Sequence, residues 1–236
     1  MGSARDDGLR RLEVDGATVA YRSAGAGPAI VLIKNNRRPL DFGPVALLTD
    51  RFRVLQVQPV GFGASDRPEE YAFGSIDRQV LAVLDHEGVD RFVAWGFSQM
   101  AFMAAMAARG NDRACGLIVG GTSLIGFPTD ATMRRLEREP RLPKAALEFW
   151  RASRRFDWHL ELRDLGKPVL IYVGTADPGW PRFRKFGPVL RGCGCDCLDL
   201  PDLDHQTSGP GDTGPGRAMT VSAVTAWIDD QFPSGW

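Results

Sequence analysis

Short, unbroken apolar runs recur along this chain, and most are followed by a stretch with helical spacing. The clearest are 28–33 (PAIVLI), 92–95, 116–122 and 169–173, with 52–57 also strand-like. A half-exposed strand alternates apolar and polar residues, whereas an unbroken run of this length suits a strand buried on both faces. The intervening segments read as helices. Ser75 stands as N-cap to 76–87, where Ile76, Val80, Val83 and Leu84 recur at helical spacing and Gly88 supplies the stop. Residues 99–108 are rich in Ala and Met and predict a tightly buried helix ending at Gly110. Segments 42–50 and 183–190 predict shorter helices, and 220–232 an amphipathic closing one. Segments 9–14 and 18–22 predict a hairpin about Asp15-Gly16, a strong turn pair, and 195–200 is the last strand. Together these predict an α/β fold: a mostly parallel, twisted, eight-stranded sheet with helices on both faces.

The pattern breaks at 123–165, where Pro128, Pro140 and Pro143 divide a stretch rich in Arg, Glu and aromatics into short pieces. It reads as a short lid inserted into a single domain spanning 1–236. Residues 206–216 are rich in Gly and Pro and predict a loop.

A chain of 236 residues with 44% hydrophobic side chains is large enough for a substantial core. Lys+Arg and Asp+Glu both number 29, which argues against a nucleic-acid partner. No run approaches the ~20 apolar residues of a membrane span, and the polar start lacks the apolar segment of a signal peptide. Asp6 stands where N-myristoylation needs Ser or Thr. The expectation is a cytoplasmic protein with a small-molecule substrate and no membrane partner, as monomer or homodimer. Cys193, Cys195 and Cys197 form C-x-C-x-C, but zinc sites commonly take four ligands with Cys pairs spaced by two to four residues, and no second cluster exists. Reduced structural thiols, with no metal and no cofactor, are expected.

Gly96-Phe97-Ser98-Gln99-Met100 lies between an apolar strand and an apolar helix, the context of a nucleophile elbow. A tight strand-to-helix turn exposes the Ser hydroxyl, needs a small neighbour such as Gly96, and points helix N–H groups at a developing oxyanion. The usual second Gly is Met100, and Ser98 as a plain N-cap is the alternative. Serine needs a base. His86 falls in the last turn of a helix and His159 in the irregular insertion, whereas His205 follows the last strand. Asp177 ends the strand 169–173 plus Gly174-Thr175-Ala176; it either orients His205 or caps a turn with Pro178-Gly179, and Asp202 and Asp204 are the reserve acids. In parallel sheets such groups gather just past the carboxyl ends of strands.

These residues resemble the α/β-hydrolase superfamily, serine-nucleophile branch, over nearly the whole chain. Gln58-Pro59-Val60-Gly61-Phe62-Gly63-Ala64-Ser65-Asp66-Arg67-Pro68 resembles the family's D-x-x-G-x-G-x-S-x-x-P loop, with Gln58 in place of the acid. Gly174-Thr175-Ala176-Asp177 matches its acid motif, Asp204-His205 its base segment, and the order Ser, Asp, His is the family's order. The resemblance implies catalytic Ser98, Asp177 and His205. After strand three the family usually has His-Gly; this chain has Lys34-Asn35-Asn36. The oxyanion hole is then expected from the N–H of Gln99 with that of Asn35 or Asn36. A substrate pocket is expected from Lys34, Phe127, Phe149, Trp150, Trp158 and Trp180, with most of the aromatics expected to serve instead as anchors of the lid on the core. The implied activity is hydrolysis of a carboxylic ester or similar acyl bond of a small apolar substrate. Ser98 argues against the dehalogenase and epoxide-hydrolase branches, which use Asp. The same fold serving as a lyase, carbon–carbon hydrolase or natural-product cyclase, or as a non-catalytic ligand-binding relic, are the alternatives.

Overall fold

The computed structural model describes residues 8–35, 46–68, 73–210 and 216–236. The predicted hairpin forms as β1 (Arg10–Val14) and β2 (Ala17–Ala24), paired antiparallel about Asp15-Gly16. The strands β3 (Ala29–Ile33), β4 (Arg53–Gln58), β5 (Phe92–Phe97), β6 (Ala114–Gly120), β7 (Val169–Gly174) and β8 (Cys195–Leu200) are mutually parallel. Sheet order is β1-β2-β4-β3-β5-β6-β7-β8, with β2 antiparallel to β4, so the predicted eight-stranded, mostly parallel sheet is what the chain builds.

Helices cover both faces. Ile30, Leu32, Val93, Trp95, Ile118, Leu170 and Tyr172 point to one face, against α1 (Ala46–Thr49) and the Val221, Val224 and Ile228 stripe of α8 (Gly216–Gln231). Their strand neighbours Val31, Ala94, Leu117, Val119 and Ile171 point to the other, against α2 (Ile76–His86), α3 (Gln99–Ala108) and α7 (Trp180–Gly192). Every residue of α3 after Gln99 is buried. Alanines on a helix this central let it close onto the sheet, and its methionines fill what gaps remain.

Residues 123–165 hold three helices, α4 (Asp130–Glu137), α5 (Lys144–Ser153) and α6 (Trp158–Arg163). The stretch is divided into short pieces as its prolines predict: Pro140 lies in the break between α4 and α5, and the other two stand at helix starts. Pro143 directly precedes α5, and Pro128 precedes Thr129, whose side chain accepts from the Thr132 N–H to cap α4. Ser75, predicted as a side-chain cap, makes no such bond; its hydroxyl meets Gln79 Nε2 at 3.2 Å.

The edge of the sheet is pinned by one buried carboxylate. Glu87, just past α2, has a side chain 2% exposed and accepts from Tyr21 Oη at 2.7 Å and from the guanidinium groups of Arg10 and Arg53. Burial works to raise its pKa, yet the hydrogen bonds from Tyr21 and Arg10 hold it below the ordinary carboxylate value. The unfolded chain therefore takes up this proton more readily, so the stabilisation is complete above the free carboxylate pKa and lost as pH falls through the lower folded value. Glu87→Ala leaves the Tyr21 hydroxyl and two cations without their acceptor, and should lower the unfolding free energy by about 3 kcal/mol. Urea titration at neutral pH checks this; a loss below about 1 kcal/mol, the scale of an exposed ion pair, would refute the buried anchor.

Candidate active site

The turn from β5 into α3 is so tight that the helix crosses directly over the strand it leaves. A Cβ on Gly96 would lie 2.2 Å from the Met100 carbonyl oxygen and 2.6 Å from Ala101 Cα, so only glycine fits. Ser98, between them, is driven to φ 56° and ψ −123°, a left-handed conformation costing a non-glycine residue about 1–3 kcal/mol. Its N–H donates to the Gly120 carbonyl at 2.7 Å and its carbonyl accepts from the Ala101 N–H. The hydroxyl makes no helix-capping bond, so the plain N-cap alternative does not describe this serine. Met100 needs no remodelling of the turn: its side chain is 4% exposed within the core, and only its backbone approaches Gly96.

Two further loops at the same rim complete the arrangement. Ala176, past β7, donates its N–H to the Leu203 carbonyl past β8, which ties the loop of Asp177 to that of His205. His205 Nδ1 lies 2.6 Å from Asp177 Oδ2, and Nε2 lies 2.9 Å from Ser98 Oγ. A carboxylate can only accept, so Nδ1 carries the proton, and Nε2 is left to accept from the serine hydroxyl. Asp177 Oδ1 accepts from the Gly179 N–H at 2.6 Å, so the acid caps its own turn and orients the imidazole at once. The reserve acid Asp204 is engaged elsewhere. Its Oδ1 accepts from the N–H groups of Gln206 and Thr207, which builds the turn that carries His205. Phe97 packs beside the imidazole, ring centroids 5.1 Å apart. His205 is raised above its ordinary pKa, chiefly by the hydrogen bond to Asp177 and against the opposing effect of burial.

Ser98, His205 and Asp177 open into a cavity of about 830 Å³. Phe127 and Trp150 line it as expected, joined by Phe102, Leu136, Pro178 and Pro181, and by the polar Thr122, Ser123, Thr132, Arg135 and Arg182. Four other expected pocket residues lie outside this wall, for physical reasons. Phe149 is fully buried, edge-on to Phe102 and Trp150. Trp158 turns into the core, donates its indole N–H to the Ser153 carbonyl, and edges a separate cavity. Trp180 donates to Asp199 Oδ1 at 2.8 Å on the outer side of α7, and Lys34 is held at the end of β3 by its backbone bond to Val57. Of the expected oxyanion donors, Gln99 opens α3, where a helix leaves its first N–H groups without internal partners. Asn35 is exposed just past β3, the sheet neighbour of β5, and Asn36 lies outside the described residues. Gly121-Thr122-Ser123, directly after β6, was legible as another strand-end segment; Arg135 and Arg182 carried no signal of their own.

The Gly-rich loop after β4 is held by its own first side chain. Gln58, in the position of the usual acid, accepts the Ala64 N–H at 2.9 Å, and its amide fills the space where a Cβ on Gly63, at φ 56°, would sit. The three thiols do not share one face. Cys195 and Cys197 lie on β8, whereas Cys193 ends α7, and burial pushes the Cys195 thiol up to about 12. No group of three metal-ligating side chains occurs among the described residues. Nor is any helix among them long and apolar enough to cross a membrane.

A serine on a strained strand-to-helix turn, facing an imidazole and a carboxylate at one rim of an open, mostly parallel sheet, defines an α/β-hydrolase-fold protein. A model of the α/β hydrolase fold matches residues 42–125. The chain is similar to haloalkane dehalogenase 2 of Mycobacterium tuberculosis (strain ATCC 25618 / H37Rv), 31% identical over 110 residues, which is 44% of this chain and 38% of that enzyme. The chain thus matches well under half the length of its curated relatives. Among solved structures, an esterase from Thermogutta terrifontis superposes with a TM-score of 0.72 at 19% identity, covering 94% of this chain and 98% of the other. The enol-lactonase from Burkholderia xenovorans LB400 gives 0.69 at 21%, covering 93% and 100%. The esterase RhEst1 from Rhodococcus sp. ECU1013 gives 0.66 at 21%, covering 95% and 99%. Likeness at these identities establishes the fold.

The hydrogen bond to Asp177 favours the imidazolium, so His205 should titrate above the ordinary histidine value of about 6.5. Asp177→Asn should bring that midpoint down. Proton NMR of the His205 ring against pH reads both, and an unchanged midpoint in the variant would refute the coupling.

Proposed function

We propose that this chain is a serine hydrolase that cleaves a carboxylic ester or similar acyl bond of a small, largely apolar substrate. The observation that carries this reading is the continuous hydrogen-bonded relay from Ser98 Oγ through His205 to Asp177, at 2.9 and 2.6 Å, opening into a cavity. Ser98 attacks the substrate carbonyl as its proton passes to His205 Nε2, and Asp177 stabilises the imidazolium. The N–H of Gln99 and that of Asn35 or Asn36 hold the oxyanion. The proton then leaves with the alcohol as the acyl-enzyme forms, and water repeats the sequence to release the acid. The helices of 123–165 act as a lid over the cavity. The esterase and enol-lactonase among the structural neighbours fit this class.

The dehalogenase relatives suggest a different reaction, but the chemistry of this nucleophile argues against it. Halide displacement by a serine hydroxyl would leave an alkyl ether, with no carbonyl carbon for water to attack, and the enzyme would stall after one turnover. Lyase, carbon–carbon hydrolase or cyclase chemistry on the same fold, suggested by Lys34-Asn35-Asn36 and Met100, is the alternative reading.

A fluorophosphonate probe should label wild-type protein at Ser98 and leave Ser98→Ala unlabelled. Turnover of short p-nitrophenyl esters should fall by at least ~10³-fold in Ser98→Ala and ~10⁴-fold in Asp177→Asn. The base must be unprotonated to act, so the raised pKa of His205 places the acid limb of kcat/KM above the ordinary histidine range. Absence of labelling and of ester turnover would refute the proposal. Ser98→Ala retaining turnover while His205→Ala loses it would refute the acyl-enzyme route.

A further inference from the structure

The cavity beside Ser98 carries a charge that ester hydrolysis does not use. Among the described residues, Asp177 is the single acid in its wall, and both of its oxygens are taken, by His205 and by the Gly179 N–H. Two arginines share that wall, Arg135 from α4 and Arg182 from α7. Neighbouring arginines of the same region are neutralised: Arg151 pairs with Glu137 and Glu148, and Arg154 with Asp130. No ion pair is made by Arg135 or Arg182 among the described residues. Arg182 is fixed in place instead, with Nη1 donating to the Gly126 carbonyl at 2.9 Å and the guanidinium 5.3 Å above the Phe127 ring. The bond to Gly126 uses one of the several N–H groups of this guanidinium.

We propose that the cavity selects acyl substrates bearing a carboxylate remote from the scissile bond, with Arg135 and Arg182 as its recognition pair. The inference rests on the serine-hydrolase reading and adds a substrate class to it. A guanidinium keeps its charge in proteins, so one wall carries both a positive excess and a carbonyl-attacking hydroxyl. Phe102, Leu136 and Trp150 in the same wall suit a short hydrocarbon spacer. A planar carboxylate matches the fork of a stacked guanidinium through paired charge-assisted hydrogen bonds.

The test is equilibrium binding to Ser98→Ala protein, which retains the wall and does not consume the probe. Monomethyl adipate, with one free carboxylate, should bind at least tenfold more tightly than dimethyl adipate in calorimetry, the scale of one charge-assisted contact. That advantage should shrink at high salt. Arg135→Gln in the same background should weaken the monoester about tenfold. Arg135 is exposed, so the variant should melt with its parent. Arg182→Lys, which keeps charge but not the planar fork, should fall between. Equal binding of the two esters, no detectable binding of either, an unaltered dissociation constant in Arg135→Gln, or tighter binding of monobutyl phosphate would each overturn the inference. Labelling by fluorophosphonate separates the two claims. A labelled protein indifferent to the carboxylate keeps its hydrolase reading and loses this one. An unlabelled protein that discriminates the esters keeps the anion site and loses the hydrolase.

Discussion

The site depends on a steric constraint at one glycine. Helix α3 passes so close over the end of β5 that nothing larger than hydrogen fits at Gly96, and the chain can make that crossing only by forcing Ser98 into a left-handed backbone conformation. The strain is local, but the forces that hold it are not. The whole length of α3 is buried between the sheet and the helices above it, and the Ser98 N–H is anchored to β6. A well-packed interior thus over-determines one unfavourable residue. The hydroxyl is aimed by that packing, not by any bond of its own to the helix end.

Much of this was legible in the sequence. The eight strands were, because runs such as PAIVLI have few other ways to be buried, and 99–108 and 195–200 coincide with their elements. Ser98, Asp177 and His205 were legible because each lies within a few residues of a strand's carboxyl end, and parallel strands deliver those ends to one rim. Helix 183–190 began too late, because Pro181 is a favoured residue in a first turn, not an obstacle. In 123–165, Pro128 and Pro143 likewise stand at helix starts, while Pro140 separates α4 from α5.

The pocket lining was the least legible part. Phe149, Trp158 and Trp180 look no different in sequence from Phe127 and Trp150. Which of them faces the cavity depends on the rotation of α5, α6 and α7, and on single bonds such as Trp180 to Asp199. Arg135 and Arg182 are far apart in the chain and lie on separate helices, so only the packed structure places them in one wall. Bulk charge hid them as well, since equal totals of acids and bases say nothing about where an unpaired cation ends up.

The relay draws on the ends of β5, β7 and β8, and its imidazole comes from the last of these. During synthesis the serine and its glycine-crossed turn leave the ribosome well before their base does. The nascent polypeptide therefore carries its hydroxyl through the crowded exit region with no histidine able to reach it. The relay assembles only when the final strand docks, so a chain truncated ahead of that strand would lack its imidazole, however native the rest of its sheet.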